Sequence, residues 1–137
     1  MSAYTEAQCA IKDQADLVAA LEEMFGKGNV EVHESPTNLY GYTGDRRADL
    51  AHIIVRRRHV GGSSNDVGFR READGSWTAV VSQYDTSHLR RRFEAADFTT
   101  EVKTRVGVIA AERAAKKLGR KVERIQVGRK IKLVIKG

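Results

Sequence analysis

The chain has 137 residues, of which 41% are hydrophobic and 31% are charged, and this composition excludes wholesale disorder. Residues 84–137 carry 15 Lys and Arg against 6 Asp and Glu, whereas residues 1–83 carry 9 against 12. Its length predicts a single domain over residues 1–137, and the uneven charge indicates a surface that meets an anionic partner.

The apolar runs are too short for a membrane-spanning helix, and a single cysteine excludes an intramolecular disulfide. No run approaches the roughly 20 apolar residues that span a bilayer, and residues 1–6 lack the basic and apolar regions of a signal peptide. The single cysteine, Cys9, permits no intramolecular disulfide and no thiolate zinc cluster, so we expect it to be buried. These features predict a cytoplasmic protein.

The first third of the chain is predicted to contain two strands around one helix. Residues 5–11 alternate apolar and polar side chains, which favours a half-buried strand. Asp13 can cap the helix that follows, and Gly26 is suited to end it. Residues 30–33 form a second short strand, and residues 35–45 are expected to form a loop because they contain Pro36 and two glycines.

The rest of the chain is predicted to contain five strands and one more helix. Three strands cover residues 48–56, 66–71 and 77–82, with a turn at residues 73–75 between the last two. Residues 84–98 show no clean period and are expected to be irregular. A second helix runs from Thr99 or Thr100 to Leu118, and two strands flank Gly128 and Arg129.

The resulting order, β-α-β-β-β-β-α-β-β, predicts an α+β fold with an antiparallel sheet and both helices packed on one face. The other sheet face is then left to solvent, to a partner or to a second copy. Because the last strand exposes Lys130, Lys132 and Lys136 beside Val134 on that face, we expect a homodimer at micromolar concentration.

Several segments, taken in order, resemble a known family. Residues 65–70, Asn-Asp-Val-Gly-Phe-Arg, resemble a strand motif of the Ycf-type proteins, a family of unknown function from plastids, cyanobacteria, other bacteria and phages. The other matching segments are residues 11–13, 17–21, 40–44, 48–49 and 128–135. Members are often encoded beside AAA+ ATPases, so the resemblance implies an accessory or adaptor role and supports the fold more than a function.

No segment carries a catalytic signature. Asp85, Ser87 and His88 lie too close in sequence for a triad, whose members come from distant segments so that each group faces the next. The four histidines form no i,i+3 or i,i+4 pair, so neither a metal site nor a cofactor is predicted. A metal-dependent hydrolase or nuclease would require Asp49, Asp66 and Asp85 to converge on shared metal ions.

The strongest candidate site is a set of arginines with two loop tyrosines. Arginine dominates the central basic clusters, and its planar guanidinium suits phosphate oxygens. The clusters at residues 56–58 and 70–71 close neighbouring strands, and we expect the sheet to bring them together. Tyr40 and Tyr42 are expected to be exposed and to stack on a base or sugar. The predicted ligand-binding residues are Arg56, Arg58, Arg70, Arg90, Arg91, Arg92, Tyr40 and Tyr42.

These residues predict a non-enzymatic binding module for a phosphate-bearing ligand, which is a nucleotide, a signalling dinucleotide or a single-stranded nucleic acid. Changing residues 90–92 to alanine is then expected to weaken binding and leave the melting temperature nearly unchanged. The alternatives are a protein-interaction adaptor, accessory to an AAA+ ATPase, and the metal-dependent hydrolase.

Overall fold

A computed structural model describes residues 2–127 and 130–136 of the chain. Its elements, in chain order, are β1 (Tyr4–Cys9), α1 (Gln14–Phe25), β2 (Glu31–Tyr40), β3 (Arg46–Val55), α2 (Arg57–Val60), β4 (Val67–Arg71), β5 (Trp77–Ser82), α3 (Gln83–Arg92), α4 (Phe98–Lys117), β6 (Lys121–Val127) and β7 (Lys130–Lys136). Residues 128–129, which the last two predicted strands flank, lie outside the described residues. Within the described ranges, no helix is both long and apolar enough to cross a membrane.

The α+β prediction is confirmed. The first five strands form an antiparallel sheet in the order β1-β5-β4-β3-β2. Leu21 and Phe25 of α1, Leu89 of α3 and Val102 of α4 join one buried cluster with strand residues such as Phe69. Helices therefore cover one face of the sheet, and apolar burial on that face provides the main stabilisation of the domain.

Side-chain caps fix where the helices begin. The carboxylate of Asp13 accepts a hydrogen bond from the backbone N–H of Asp16 at the start of α1. The hydroxyl of Ser82 and the carboxylate of Asp97 cap α3 and α4 in the same way. Each cap satisfies a donor that the first helical turn leaves without a partner, which explains the abrupt change from strand or loop to helix.

The prediction of a loop over residues 35–45 is wrong for most of its length, because β2 continues to Tyr40. Pro36 is tolerated because β2 is an edge strand, and it lies where the register with β3 shifts between Val32 and Thr37. In the distal part of this β2–β3 hairpin, Leu39 and Ala51 are fully buried in a second cluster with Ile54 and Val80. The hairpin therefore covers part of the sheet face that was expected to remain free.

Residues 84–98 were expected to be irregular, yet α3 occupies most of this segment. Leu89 is the only buried apolar residue of α3, and its last turn consists of Arg90, Arg91 and Arg92. Because a single apolar side chain of this helix packs against the core, its sequence shows no helical periodicity of hydrophobic residues. The Ser82 cap and the packing of Leu89 determine the helix instead.

The last two strands do not join the main sheet, contrary to the prediction. Strands β6 and β7 form a separate two-stranded sheet against α4. Arg124 of β6 donates hydrogen bonds to Glu23 of α1 and Glu112 of α4, which attach this hairpin to the helices. The hydrogen bonds that Arg124 donates to Glu112 lower the pKa of that carboxyl group.

The contact between the β2–β3 hairpin and the sheet can be tested at Gly68. A Cβ atom at this position would lie 2.5 Å from the Cβ of Ala51 and 3.0 Å from Cδ2 of Leu39. We expect Gly68→Ala to lower the free energy of unfolding by about 1–3 kcal/mol, since overpacking forces neighbouring backbone to shift. Urea unfolding measures the change, and Gly62→Ala is the control because no atom lies within 4 Å of its added Cβ. Equal stability of the two variants would contradict the described hairpin packing.

Candidate functional site

The candidate site lies at one end of the main sheet, where β3 ends and β4 begins. Val55 and Val67 are paired across these strands, so the residues after Val55 and before Val67 meet at this end. We call it the polar sheet end and define it by Tyr40, Arg56, Arg57, Asn65 and Asp66. These residues come from β2, the start of α2 and the loop before β4.

Asp66 is the centre of the polar sheet end and is only 1% exposed. Its Oδ2 atom accepts hydrogen bonds from the backbone N–H of Tyr40 and from Nη1 of Arg56, both at 2.8 Å. Its Oδ1 atom accepts one from the backbone N–H of Arg57, also at 2.8 Å. The hydroxyl of Tyr4 donates to the backbone oxygen of Asp66 at 2.7 Å. Asp66 therefore connects β1, β2 and α2.

Arg56 acts as a clamp between two carboxylates. Its Nε and Nη2 atoms donate to the two oxygens of Glu31 at 2.9 Å each, while Nη1 reaches Asp66. Burial alone would lower the pKa of Arg56, but the bonds to Glu31 and Asp66 outweigh burial and raise it. All three side-chain nitrogens of Arg56 thus have partners within the fold.

A second buried network lies beside Asp66. The backbone N–H and the Nδ2 group of Asn65 donate to Oδ2 of Asp85, at 2.9 and 3.1 Å, and Nδ2 also reaches Oγ of Ser82. The Oδ1 atom of Asn65 accepts from the backbone N–H of Tyr42 at 3.0 Å. Asn65, Ser82 and Asp85 are each at most 1% exposed, so this network holds the loop around Tyr42 against the start of α3.

Two neighbouring cavities open at the polar sheet end. The first, called here the arginine cavity, has a volume of about 390 Å³ and is lined by Tyr40, Gly44, Arg56, Arg57, Arg58 and Asp66. The second, the tyrosine cavity, has a volume of about 350 Å³ and is lined by Ser2, Tyr42, Ser63, Asn65 and Tyr84. The same two segments line both cavities, since Asn65 and Asp66 are consecutive and only Gly41 separates Tyr40 from Tyr42. Both volumes lie in the range of small-molecule sites.

The arginine cavity brings together three of the predicted residues, Tyr40, Arg56 and Arg58. The guanidinium carbon of Arg56 lies 5.9 Å from the ring centroid of Tyr40. The side chains of Arg57, which is half-buried, and Arg58, which is exposed, form no ion pair with any described residue. Neither guanidinium group is therefore engaged by a carboxylate of the described residues. The fourth predicted residue, Tyr42, lies in the tyrosine cavity.

The arginines of α3 have unequal roles. Nη1 of Arg92 donates to the backbone oxygens of His59 and Val60 at 2.8 Å each, and its guanidinium lies over the rings of Phe25 and Phe93. Arg92 thus joins α3 to α2, and its loss is expected to reduce stability, contrary to the expectation from sequence. Arg90 and Arg91 are exposed on the same helical turn, and their guanidinium groups have no partner among the described residues.

The prediction that Arg70 joins Arg56 and Arg58 is wrong. Strands β3 and β4 are antiparallel, with Ile53 opposite Phe69, so the last residues of the two strands lie at opposite ends of the pair. Arg70 instead forms two hydrogen bonds, at 2.9 and 2.8 Å, with the carboxylate of Glu6.

The hydrolase alternative would require Asp49, Asp66 and Asp85 to converge on shared metal ions. Asp66 and Asp85 are held in the separate networks described above, and Nε2 of His88 lies 3.0 Å from the backbone oxygen of Val60. Among residues 2–127 and 130–136, no three His, Cys, Asp or Glu side chains form a group suited to a metal ion.

The residues predicted from the sequence do not include Arg57, which lines the arginine cavity, or Asn65 and Asp66, which support the site. Strand β3 was predicted to run to Arg56, whereas it ends at Val55 and Arg57 begins a helix. The Asn-Asp pair was visible in the motif at residues 65–70, but its bonds connect segments far apart in sequence.

Comparison with known proteins identifies a family. A family model described as "Protein of unknown function (DUF1257)" matches residues 20–134. The chain belongs to this family. No curated protein and no solved structure matches it.

The central role of Asp66 predicts a large effect of Asp66→Asn. Removing this charge leaves Arg56 with Glu31 alone, and breaking a buried ion pair destabilises a protein by about 3 kcal/mol. The control is Glu6→Gln, which removes the exposed pair with Arg70 and should cost less than about 1 kcal/mol. Chemical unfolding of both variants gives the comparison, and equal losses would show that Asp66 does not hold the sheet end together.

The Arg56 clamp also predicts how stability depends on pH. Hydrogen bonds from Arg56 lower the pKa of Glu31 in the folded chain. The stabilisation is therefore complete above the ordinary Glu pKa of about 4.3 and is lost as the pH falls through the lowered folded value. Glu31→Gln should make the unfolding free energy less dependent on pH across this acidic range. An unchanged pH profile in this variant would argue against the clamp.

Proposed function

We propose that this member of the family is a binding module for a phosphate-bearing ligand, held at the arginine cavity. The ligand class comprises nucleotides, signalling dinucleotides and single-stranded nucleic acids. The observation that carries the proposal is that Arg57 and Arg58 line a cavity of about 390 Å³ and that no carboxylate of residues 2–127 or 130–136 pairs with either side chain.

Electrostatics at the cavity favour an anion. Asp66 is the only lining carboxylate among the described residues, and its oxygens already accept hydrogen bonds from Arg56 and from two backbone N–H groups. The charges of Arg57 and Arg58 therefore remain available to a ligand. A guanidinium group can donate two parallel hydrogen bonds to phosphate oxygens, which suits arginine better than lysine to this role.

Tyr40 adds a surface for a ring. It is 39% exposed, and the guanidinium of Arg56 lies near its ring. An exposed tyrosine beside phosphate-binding arginines can stack on a base or a sugar. The proposed direct contacts are therefore made by Arg57, Arg58 and Tyr40, with Arg56 as the residue that positions them.

The last turn of α3 extends the basic surface. Arg92 holds this turn against α2, so the free guanidinium groups of Arg90 and Arg91 lie on an element in contact with α2. Such a surface suits the backbone of a strand better than one isolated phosphate. Because phosphate contacts carry no sequence information, binding is expected to be sequence-tolerant and to weaken with added salt.

An adaptor role, accessory to an AAA+ ATPase, is the second candidate, and the β6–β7 hairpin is the observation that favours it. Among the described strands, β6 and β7 pair only with each other, and Ile125 and Val127 are 40% and 58% exposed. Exposed lysines flank these apolar residues, at positions 121, 130, 132 and 136. This surface suits an acidic protein segment better than a second copy, since a two-fold pairing would bring the lysine rows together.

The main proposal predicts a selective effect of two arginines. The double variant Arg57→Ala/Arg58→Ala should bind a fluorescent, short, mixed-sequence DNA strand at least about tenfold more weakly than the parent, since each charge-assisted hydrogen bond contributes about 1.5–3 kcal/mol. Fluorescence anisotropy at low salt measures the affinity, and a panel of nucleotides is tested as competitors.

The matched control is Lys116→Ala/Lys117→Ala, which removes the same charge from exposed positions in the last turn of α4. It should retain most of the affinity. Equal weakening in both double variants would show that binding depends on net charge and not on the arginine cavity, which would contradict the proposal. A parent protein that binds neither the DNA strand nor a nucleotide would also overturn it.

A further inference from the structure

We infer that the tyrosine cavity is a subsite for an unstacked nucleobase, with Tyr42 and Tyr84 as its stacking side chains. The inference rests on the proposed function, because it assigns the base of a ligand whose phosphate is held at the arginine cavity. It narrows the ligand to nucleotide units with an accessible base, and it excludes inorganic phosphates and base-paired duplexes.

Two half-exposed tyrosines line this cavity. Tyr42 is 46% exposed and Tyr84 is 42% exposed, and both line the same space of about 350 Å³. The ring of Tyr84 stacks on the imidazole of His88, with ring centroids 6.0 Å apart and an angle of 11° between the planes. Tyr84 thus has one face supported, which leaves the ring suited to receive a planar ligand.

Hydrogen bonds hold the backbone of both tyrosines. The N–H of Tyr42 donates to Oδ1 of Asn65, and the N–H of Tyr84 donates to Oγ of Ser2 at 2.8 Å. Asn65 is itself held by Ser82 and Asp85 beneath the cavity. A site whose walls are fixed in advance loses less conformational entropy on binding.

The chemistry of the lining suits a neutral ring. The lining consists of Ser2, Tyr42, Ser63, Asn65 and Tyr84, and none of these side chains is charged. The amide of Asn65 already has partners at both its oxygen and its nitrogen, so it does not read a base edge. The hydroxyl groups of the serines and tyrosines remain beside the stacking surfaces. Each hydroxyl can both donate and accept a hydrogen bond, so the lining accepts any base.

The two cavities are arranged for one ligand. Asn65 lines the tyrosine cavity and the next residue, Asp66, lines the arginine cavity, while Tyr42 and Tyr40 are separated by one glycine. Two residues of extended chain span at most about 7 Å, a short distance for a flexible nucleotide to bridge. A base between Tyr42 and Tyr84 therefore places its own or a neighbouring phosphate near Arg57 and Arg58.

The test compares a short mixed-sequence DNA strand with an abasic strand of equal length, which keeps the phosphates and lacks the bases. The parent should bind the intact strand about tenfold more tightly, in the range of one stacked base. Tyr84→Ala should reduce this preference several-fold, whereas Tyr84→Phe should retain it because it keeps the ring. Thermal melting of each variant confirms folding, and Tyr42→Ala provides a second variant of the same subsite.

Failure of this inference is distinguishable from failure of the proposed function. Equal affinity of the parent for intact and abasic strands, with loss in Arg57→Ala/Arg58→Ala, would overturn the base subsite alone. Binding of a mononucleotide without either strand, weakened by Tyr84→Ala, would support the subsite and identify a free nucleotide as the ligand. Binding that depends on Tyr84 but not on Arg57 and Arg58 would overturn the phosphate site, and no binding at all would overturn both.

Discussion

The buried carboxylate of Asp66 is the group on which the polar sheet end depends. It accepts hydrogen bonds from three residues. Tyr40 is the last residue of β2, Arg56 directly follows β3, and Arg57 is the first residue of α2. A buried charge is stable only when it is paired and hydrogen-bonded, so these donors cannot move independently of Asp66. One side chain thereby fixes where β2 ends and where α2 begins.

This constraint divides the arginine run 56–58 into two roles. Arg56 is fully engaged by Glu31 and Asp66, so its charge is compensated inside the fold. Arg57 gives only its backbone N–H to Asp66, and its guanidinium, like that of Arg58, has no described partner. Arg56 thus supports the polar sheet end, whereas Arg57 and Arg58 are the proposed ligand contacts.

The fold class was predictable because apolar alternation marks the strands and two helices have clear stripes and caps. The α3 helix was not predictable in this way, because only Leu89 of its apolar residues is buried. The packing of the β2–β3 hairpin over the sheet depends on register shifts and on the close approach of Gly68 to Ala51. Neither feature produces a recognisable pattern in the local sequence.

Of the residues predicted for the candidate site, the structure brings some together and separates others. Tyr40, Arg56 and Arg58 do line one cavity, but an arginine run does not reveal which member is engaged by buried carboxylates. Arg70 was misplaced because antiparallel pairing sends it to the far end of β4. Asn65 and Asp66 form long-range polar contacts, and residue type alone does not identify their partners.

The most direct test of the account is NMR chemical-shift mapping of the labelled protein during titration with a short single-stranded oligonucleotide. We expect saturable shifts in Arg57, Arg58, Tyr42 and Tyr84, with little change at Arg70 or along β6 and β7. Shifts confined to the lysines of the β6–β7 hairpin, or spread evenly over all exposed cations, would contradict it.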